Sequence, residues 1–225
     1  MIKQNEIILK KLKSLGNATN IKGMARFGIK PNNAYGVLIP NLRKFAKEIG
    51  KDHVLAQQLW DSKIHEAKIL ASMIDKADLV TKKQADQWIK DFDSWDICDQ
   101  VCLNLFNKTL FAFEKAAIWT KKKAEFEKRA GFALMACLAW QDKRSSDEKF
   151  LNFFPLIKKH SIDGRNFVKK AVNWALRQIG KRNNDLRIKA IKLAMEIQKI
   201  DSKTAKWIAS DAIKELTKIK IKKTN

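Results

Sequence analysis

The sequence predicts an all-α protein, and three observations carry that expectation. Helix breakers are scarce, with 8 Gly and 3 Pro in 225 residues, so helices can run without interruption. From residue 40 onward, apolar residues recur at helical spacing between short polar breaks. No run of alternating β-branched residues marks a strand. At 225 residues and 45% hydrophobic, the chain can bury a substantial core.

Taken in order, helices are expected over 3–15, 41–49, 53–61, 64–76, 82–92, 95–107, 109–122, 125–140, 147–160, 166–182, 185–199 and 203–217. Pro40 opens the second and Gly50 closes it, the usual placement of these residues at helix ends. Thr81 to Gln84 and Ser145 to Glu148 have the capping-box spacing. Three helices are more apolar than their neighbours: those containing Ile64 to Ile74, Arg129 to Trp140 and Phe167 to Leu176. They recur every few tens of residues between more polar helices. That fits an α-solenoid of stacked, HEAT-like helix pairs forming one domain over 1–225, with residues 218–225 frayed. A single irregular bundle is the alternative.

Charge narrows the function. There are 46 Lys+Arg against 24 Asp+Glu, a formal net charge of +22. Such an excess points to a polyanion, with nucleic acid first and an anionic membrane surface second, while a Lys-rich coat serving solubility is the alternative. Cys98, Cys102 and Cys137 form no disulfide framework, which fits a reducing cytoplasm. Cys98 and Cys102 are four apart, but His53, His65 and His160 have no finger-like spacing to them. They read as small core residues, so neither metal nor cofactor is expected. The N-terminal stretch has no signal-peptide core, and no apolar run approaches transmembrane length.

The stretch DFDSWDICDQVC, residues 91–102, gathers four aspartates around a tryptophan in this basic chain. Wound as a helix, Ile97, Cys98, Val101, Cys102 and Leu105 make a core face, and Asp96, Gln100, Asn104 and Asn107 a solvent face. Trp95, Asp99 and Phe106 fall on the border between them. Asp93 and Asp96 suit the cap and first turn, where acid complements the helix N-terminus, and Asp91 reads as ordinary surface. Asp99, over Trp95, has no local structural task, so it is the candidate functional acid. An incidental exposed pair is the alternative.

In the helix over 166–182, Val168, Val172, Ala175 and Ile179 form the core stripe. Opposite them Trp174 is flanked by Lys170, Arg177 and Lys181, a pattern suited to phosphates and to sugar or base faces. Arg129 starts a largely apolar helix and needs an anion, from the protein or from a ligand.

Ser94 to Asp99, Lys128 to Met135 and Phe167 to Arg177 resemble the AlkD-type alkylpurine DNA glycosylases, with the likeness running from about Gly36 to Leu216. That resemblance implies HEAT-like repeats in a curved right-handed superhelix with a basic concave groove. It implies a cytoplasmic bacterial protein, associated with the nucleoid when on DNA. It further implies a monomeric, monofunctional DNA-3-methyladenine/7-methylguanine glycosylase that acts on duplex DNA without flipping the base into a pocket. By the same resemblance Asp99 is the catalytic carboxylate, Trp95 and Trp174 the cleft tryptophans, and Arg129 a phosphate holder. Lys170, Arg177, Lys181 and Arg182 are expected to bind DNA, and no metal, cofactor or membrane is involved. Cationic N3- or N7-alkylpurines leave readily, so a carboxylate and indole faces aiding the sugar cation suffice, without a general acid. The rival expectation is a non-catalytic HEAT-repeat binder of DNA or of a protein partner. An RNA-binding α-repeat is a further alternative.

Overall fold

The computed structural model describes residues 4–29 and 33–219, all helix and connection, with no strand among them. The chain forms two compact units, Met1–Leu110 and Phe111–Asn225. The frayed end expected over 218–225 falls mostly on 220–225, outside the described residues, as does residue 3 of the first expected helix.

The first unit contains α1 (Gln4–Ser14), α2 (Ala18–Arg26), α3 (Ile39–Ile49), α4 (His53–Asp61), α5 (His65–Ile74), α6 (Lys82–Trp88) and α7 (Trp95–Asn104). Helix α5 lies at its centre, against α3, α4 and α7. It is buried nearly all round, and even His65, Glu66, Lys68 and Ser72 are inside. Each of these four side chains has a hydrogen-bond partner on a neighbouring segment. Glu66 accepts the backbone N–H groups of Tyr35 and Gly36 at 2.9 and 2.6 Å, which fixes that loop against α5. Lys68 donates to the Asp91 carbonyl at 2.9 Å. Trp60 and Trp88 stack with ring centroids 3.9 Å apart, and Trp60 Nε1 donates to the Asp91 carboxylate at 2.8 Å. Asp91 is exposed as expected, but its carboxylate also anchors this indole pair.

The second unit contains α8 (Ala112–Trp119), α9 (Glu125–Gln141), α10 (Asp147–Leu151), α11 (Phe154–His160), α12 (Asn166–Gly180), α13 (Asn184–Gln198) and α14 (Lys203–Thr217). Helices α9 and α12 pack along one another, with α8 on one side and α13 and α14 on the other. Gly131 makes one of these contacts possible. A Cβ there would lie 2.7 Å from the Thr120 nitrogen and 2.9 Å from the Ala116 carbonyl, so α8 could not approach α9 so closely.

Most expected helices appear within a few residues, and the caps explain the boundaries. Pro40 sits in the first turn of α3, and Gly50 closes it at φ 78° with its N–H on the Ala46 carbonyl. Thr81 caps α6 by accepting the Gln84 N–H at 3.0 Å, but the Gln84 amide turns away to buried Asp75. Other expectations are corrected. Helix α2 was not anticipated: Asn17 caps it, accepting from Thr19 and Asn20. The span 147–160 is two helices, because Pro155 cannot continue α10 and instead enters the first turn of α11. Ser145 caps nothing; its N–H is held by Asp142, and Ser146 starts α10.

Candidate functional site

Helix α7 places the first group of residues. Ile97, Cys98, Val101, Cys102 and Leu105 are buried, the face that helical winding assigns to the core. Trp95 and Asp99 are both half-buried on neighbouring turns. Trp95 Nε1 donates to the Phe27 carbonyl at 2.9 Å, so the segment after α2 fixes the plane of the ring. Phe106 does not join them. The helix ends at Asn104, and a 3-10 turn carries Phe106 inward to face Trp88 at 6.3 Å.

Asp96 is also corrected. Instead of facing solvent, it accepts from His65 Nε2 of α5 at 2.8 Å, with His65 only 4% exposed. Burial alone would lower the pKa of His65, but the hydrogen bond and charge of Asp96, with Glu66 nearby, hold it above its ordinary value. Burial would likewise raise Asp96, and the same His65 contact brings it below. The pair is a buried histidine–carboxylate hydrogen bond in which each partner favours the charged form of the other. Its sequence signal was a histidine at the head of one of the three more apolar helices.

This pair, Trp95 and Gln100 line a cavity of about 500 Å³. Its other walls include Met24, Phe27, Val37 and Ile69, so it is largely apolar apart from the His65–Asp96 end.

Helices α9 and α12 carry the second group. Arg129 is buried in the first turns of α9, and its Nη1 donates to the Phe167 carbonyl at 2.7 Å. Glu125 accepts the Phe167 N–H at 3.1 Å, so α9 grips the first turn of α12 by both backbone groups. On α12, Val168, Val172, Ala175 and Ile179 are buried, as the core stripe requires. Trp174 is half-buried, with Lys170 exposed one turn before it. The Gln178 amide lies beside Trp174 Nε1 and Lys181 Nζ, and with its oxygen turned toward them it accepts from both at 3.2 Å.

Arg177 and Lys181 share Glu215 of α14. Arg177 Nη1 reaches one carboxylate oxygen, and Lys181 Nζ the other at 2.6 Å. Asp211 lies 3.6 Å from Arg177 Nε and accepts from buried Asn173 at 2.6 Å. Burial would raise the Glu215 pKa, but Lys181 and Arg177 bring it below its ordinary value, so it stays ionised between them. Arg182 turns inward, donating to the Asp142 carbonyl and, at 2.7 Å, to the Ser145 carbonyl, with its guanidinium over the Phe150 ring at 4.2 Å. These acidic and carbonyl partners come from other helices and loops, and the pattern of α12 alone does not reveal them. Among the described residues no cluster of His, Cys, Asp or Glu could hold a metal ion, and Cys98, Cys102 and Cys137 are buried.

A protein-family model described as the DNA alkylation repair enzyme family matches residues 8–216. The chain belongs to that family. Among curated proteins, none matches the sequence significantly. One solved structure covers 99% of this chain and 99% of its own, at a TM-score of 0.79 and 18% identity. That protein is described as one of a new family related to the HEAT-like repeat DNA glycosylases, with affinity for branched DNA structures. The likeness shows that the chain has the HEAT-like repeat fold of that group. No described helix is long and apolar enough to cross a membrane.

Proposed function

We propose that this family member is a DNA glycosylase that hydrolyses the N-glycosidic bond of cationic N3- and N7-alkylpurines in duplex DNA. The observation that carries this reading is the disposition of α7: Asp99 stands one turn beyond an indole whose plane is fixed by the Phe27 carbonyl. As the bond to a cationic base breaks, positive charge moves to the sugar. The Asp99 carboxylate stabilises that charge and orients the attacking water, and the Trp95 face supports the cation. The leaving base is already charged and departs neutral, so no acid has to protonate it and no fitted pocket has to hold it. The lesion therefore stays in the stack.

In the second unit, Lys170, Arg177 and Lys181 meet phosphates and Trp174 packs on the backbone sugars. Arg129 contributes beside the α12 N-terminus. Arg182, with its carbonyl partners, holds the protein together instead. The protein acts as a monomer and needs neither metal nor cofactor.

The test is release of free base from defined duplexes under single-turnover conditions. N7-methylguanine and N3-methyladenine should be excised, and uracil and hypoxanthine hardly at all. Efficient release of the neutral bases would refute the mechanism. A second reading, DNA binding without chemistry, is favoured by the engagement of Arg177 and Lys181 with Glu215, which a dedicated phosphate site would leave open. The fold neighbour's described affinity for branched DNA agrees with it. Tight binding with no base release from any methylated duplex would establish that reading.

A further inference from the structure

We infer that the cavity between α2, α5 and α7 is a receptor for a single unpaired nucleobase, a site separate from the Asp99 chemistry that shares its Trp95 wall. The inference rests on the reading of this protein as a DNA binder. Three features of the cavity select the ligand class. Its volume of about 500 Å³ lies in the range of small-molecule sites, and its walls are aromatic and aliphatic, which suits a flat ring and not a hydrated sugar. Charge disfavours phosphate, because Glu66 and Asp96 both line the cavity and no Lys or Arg is among its lining residues. A purely aliphatic guest is disfavoured by the polar side of the cavity, where Thr19, Asn20 and Gln100 join its lining.

A nucleobase meets all three conditions, with π faces for Trp95 and Phe27 and a polar edge for Gln100. An already unpaired base enters without the cost of breaking a pair, so a lesion within the duplex can stay stacked while a base at a bulge or strand discontinuity is captured. The protein should therefore bind DNA with an unpaired base more tightly than fully paired DNA.

Gly23 gives a clean test. It lines the cavity, and a Cβ added there meets nothing within 4 Å, so a larger side chain grows into open space on a helix that glycine otherwise weakens. The full chain is titrated with three otherwise identical duplexes: fully paired, carrying one bulged adenine, and carrying one bulged abasic residue. The expected result is about tenfold tighter binding of the adenine bulge than of either other duplex, in line with the stacking of one base. Gly23→Phe should abolish that preference while leaving affinity for paired DNA unchanged, Ile69→Phe should do the same from the α5 wall, and Gly23→Ala should keep it. Equal binding of the adenine and abasic bulges would assign any preference to DNA bending and overturn the inference. So would a preference that survives both filling variants. Base release from N7-methylguanine duplexes, measured in parallel, reports on the glycosylase reading alone.

Discussion

Asp96 and Asp99 stand three residues apart on α7 and meet different surroundings. Asp99 is half-buried beside Trp95, and its charge serves the proposed chemistry. Asp99→Asn keeps the shape and removes that charge, so duplex binding should persist or tighten while single-turnover excision falls by about 10²-fold or more. Near-normal rates would remove Asp99 from the mechanism. Asp96 instead completes the buried pair with His65. Asp96→Asn should cost about 1–3 kcal/mol by thermal or denaturant unfolding, more than the few tenths expected from a helix-end charge alone. The pH dependence follows from both shifts. His65 is raised, so its contribution is full below its ordinary value of 6.5 and is lost as pH rises through its folded value. Asp96 is lowered, so its contribution is full above 3.8 and is lost as pH falls through its folded value. The stability gap between wild type and Asp96→Asn should therefore be widest between those two limits and close on both sides. A gap independent of pH would show that the pair is not ionised.

At the scale of elements, α12 and the two residues that follow it separate cations that hold the fold from cations that can meet DNA. Arg182 reaches two carbonyls in the connection after α9 and covers Phe150. Arg182→Ala should lower stability by about 1–3 kcal/mol, since it leaves both carbonyls short of a donor, and should leave the salt dependence of DNA binding nearly unchanged. Lys170→Ala should do the reverse, with unaltered stability and a log–log salt slope flatter by about one unit. Glu215 is the test of α14. It holds Arg177 and Lys181 with one carboxylate, so a phosphate must compete with it for both. Glu215→Gln removes that competition and should tighten duplex binding several-fold, measured by titration at low salt. Weaker binding would show that Glu215 positions the two cations productively for DNA. The same logic explains why the pattern of α12 revealed only half of the story: its core stripe is set by the helix itself, and its acidic partners lie about forty residues away in sequence.

For the whole molecule, the formal net charge of +22 dominates encounter with DNA. Binding to undamaged duplex should fall steeply as salt rises, while Asp99→Asn should leave that slope unchanged because its site adds no phosphate contact. A shallow slope would place most of the positive charge away from the DNA. The even distribution of lysines along the chain shows why charge indicates the class of partner but not the contact face: any lysine at a helix surface adds to the total whichever way it points.

The all-α class, most helix spans, the buried faces of α7 and α12 and the Trp95–Asp99 pair were legible from sequence, because each depends on spacing within one helix. Helical periodicity sets those relationships wherever the helix packs. The fate of Asp96, the inward turn of Phe106, the burial of His65, the two-way hold on Glu215 and the tethering of Arg182 were decided only by tertiary structure. Each joins segments 30 to 40 residues or more apart or depends on where a helix stops, and no local period encodes either. The cavity beside Trp95 belongs to the same class, since its walls come from α2, α5, α7 and the loop before α3 and exist only once those segments pack together.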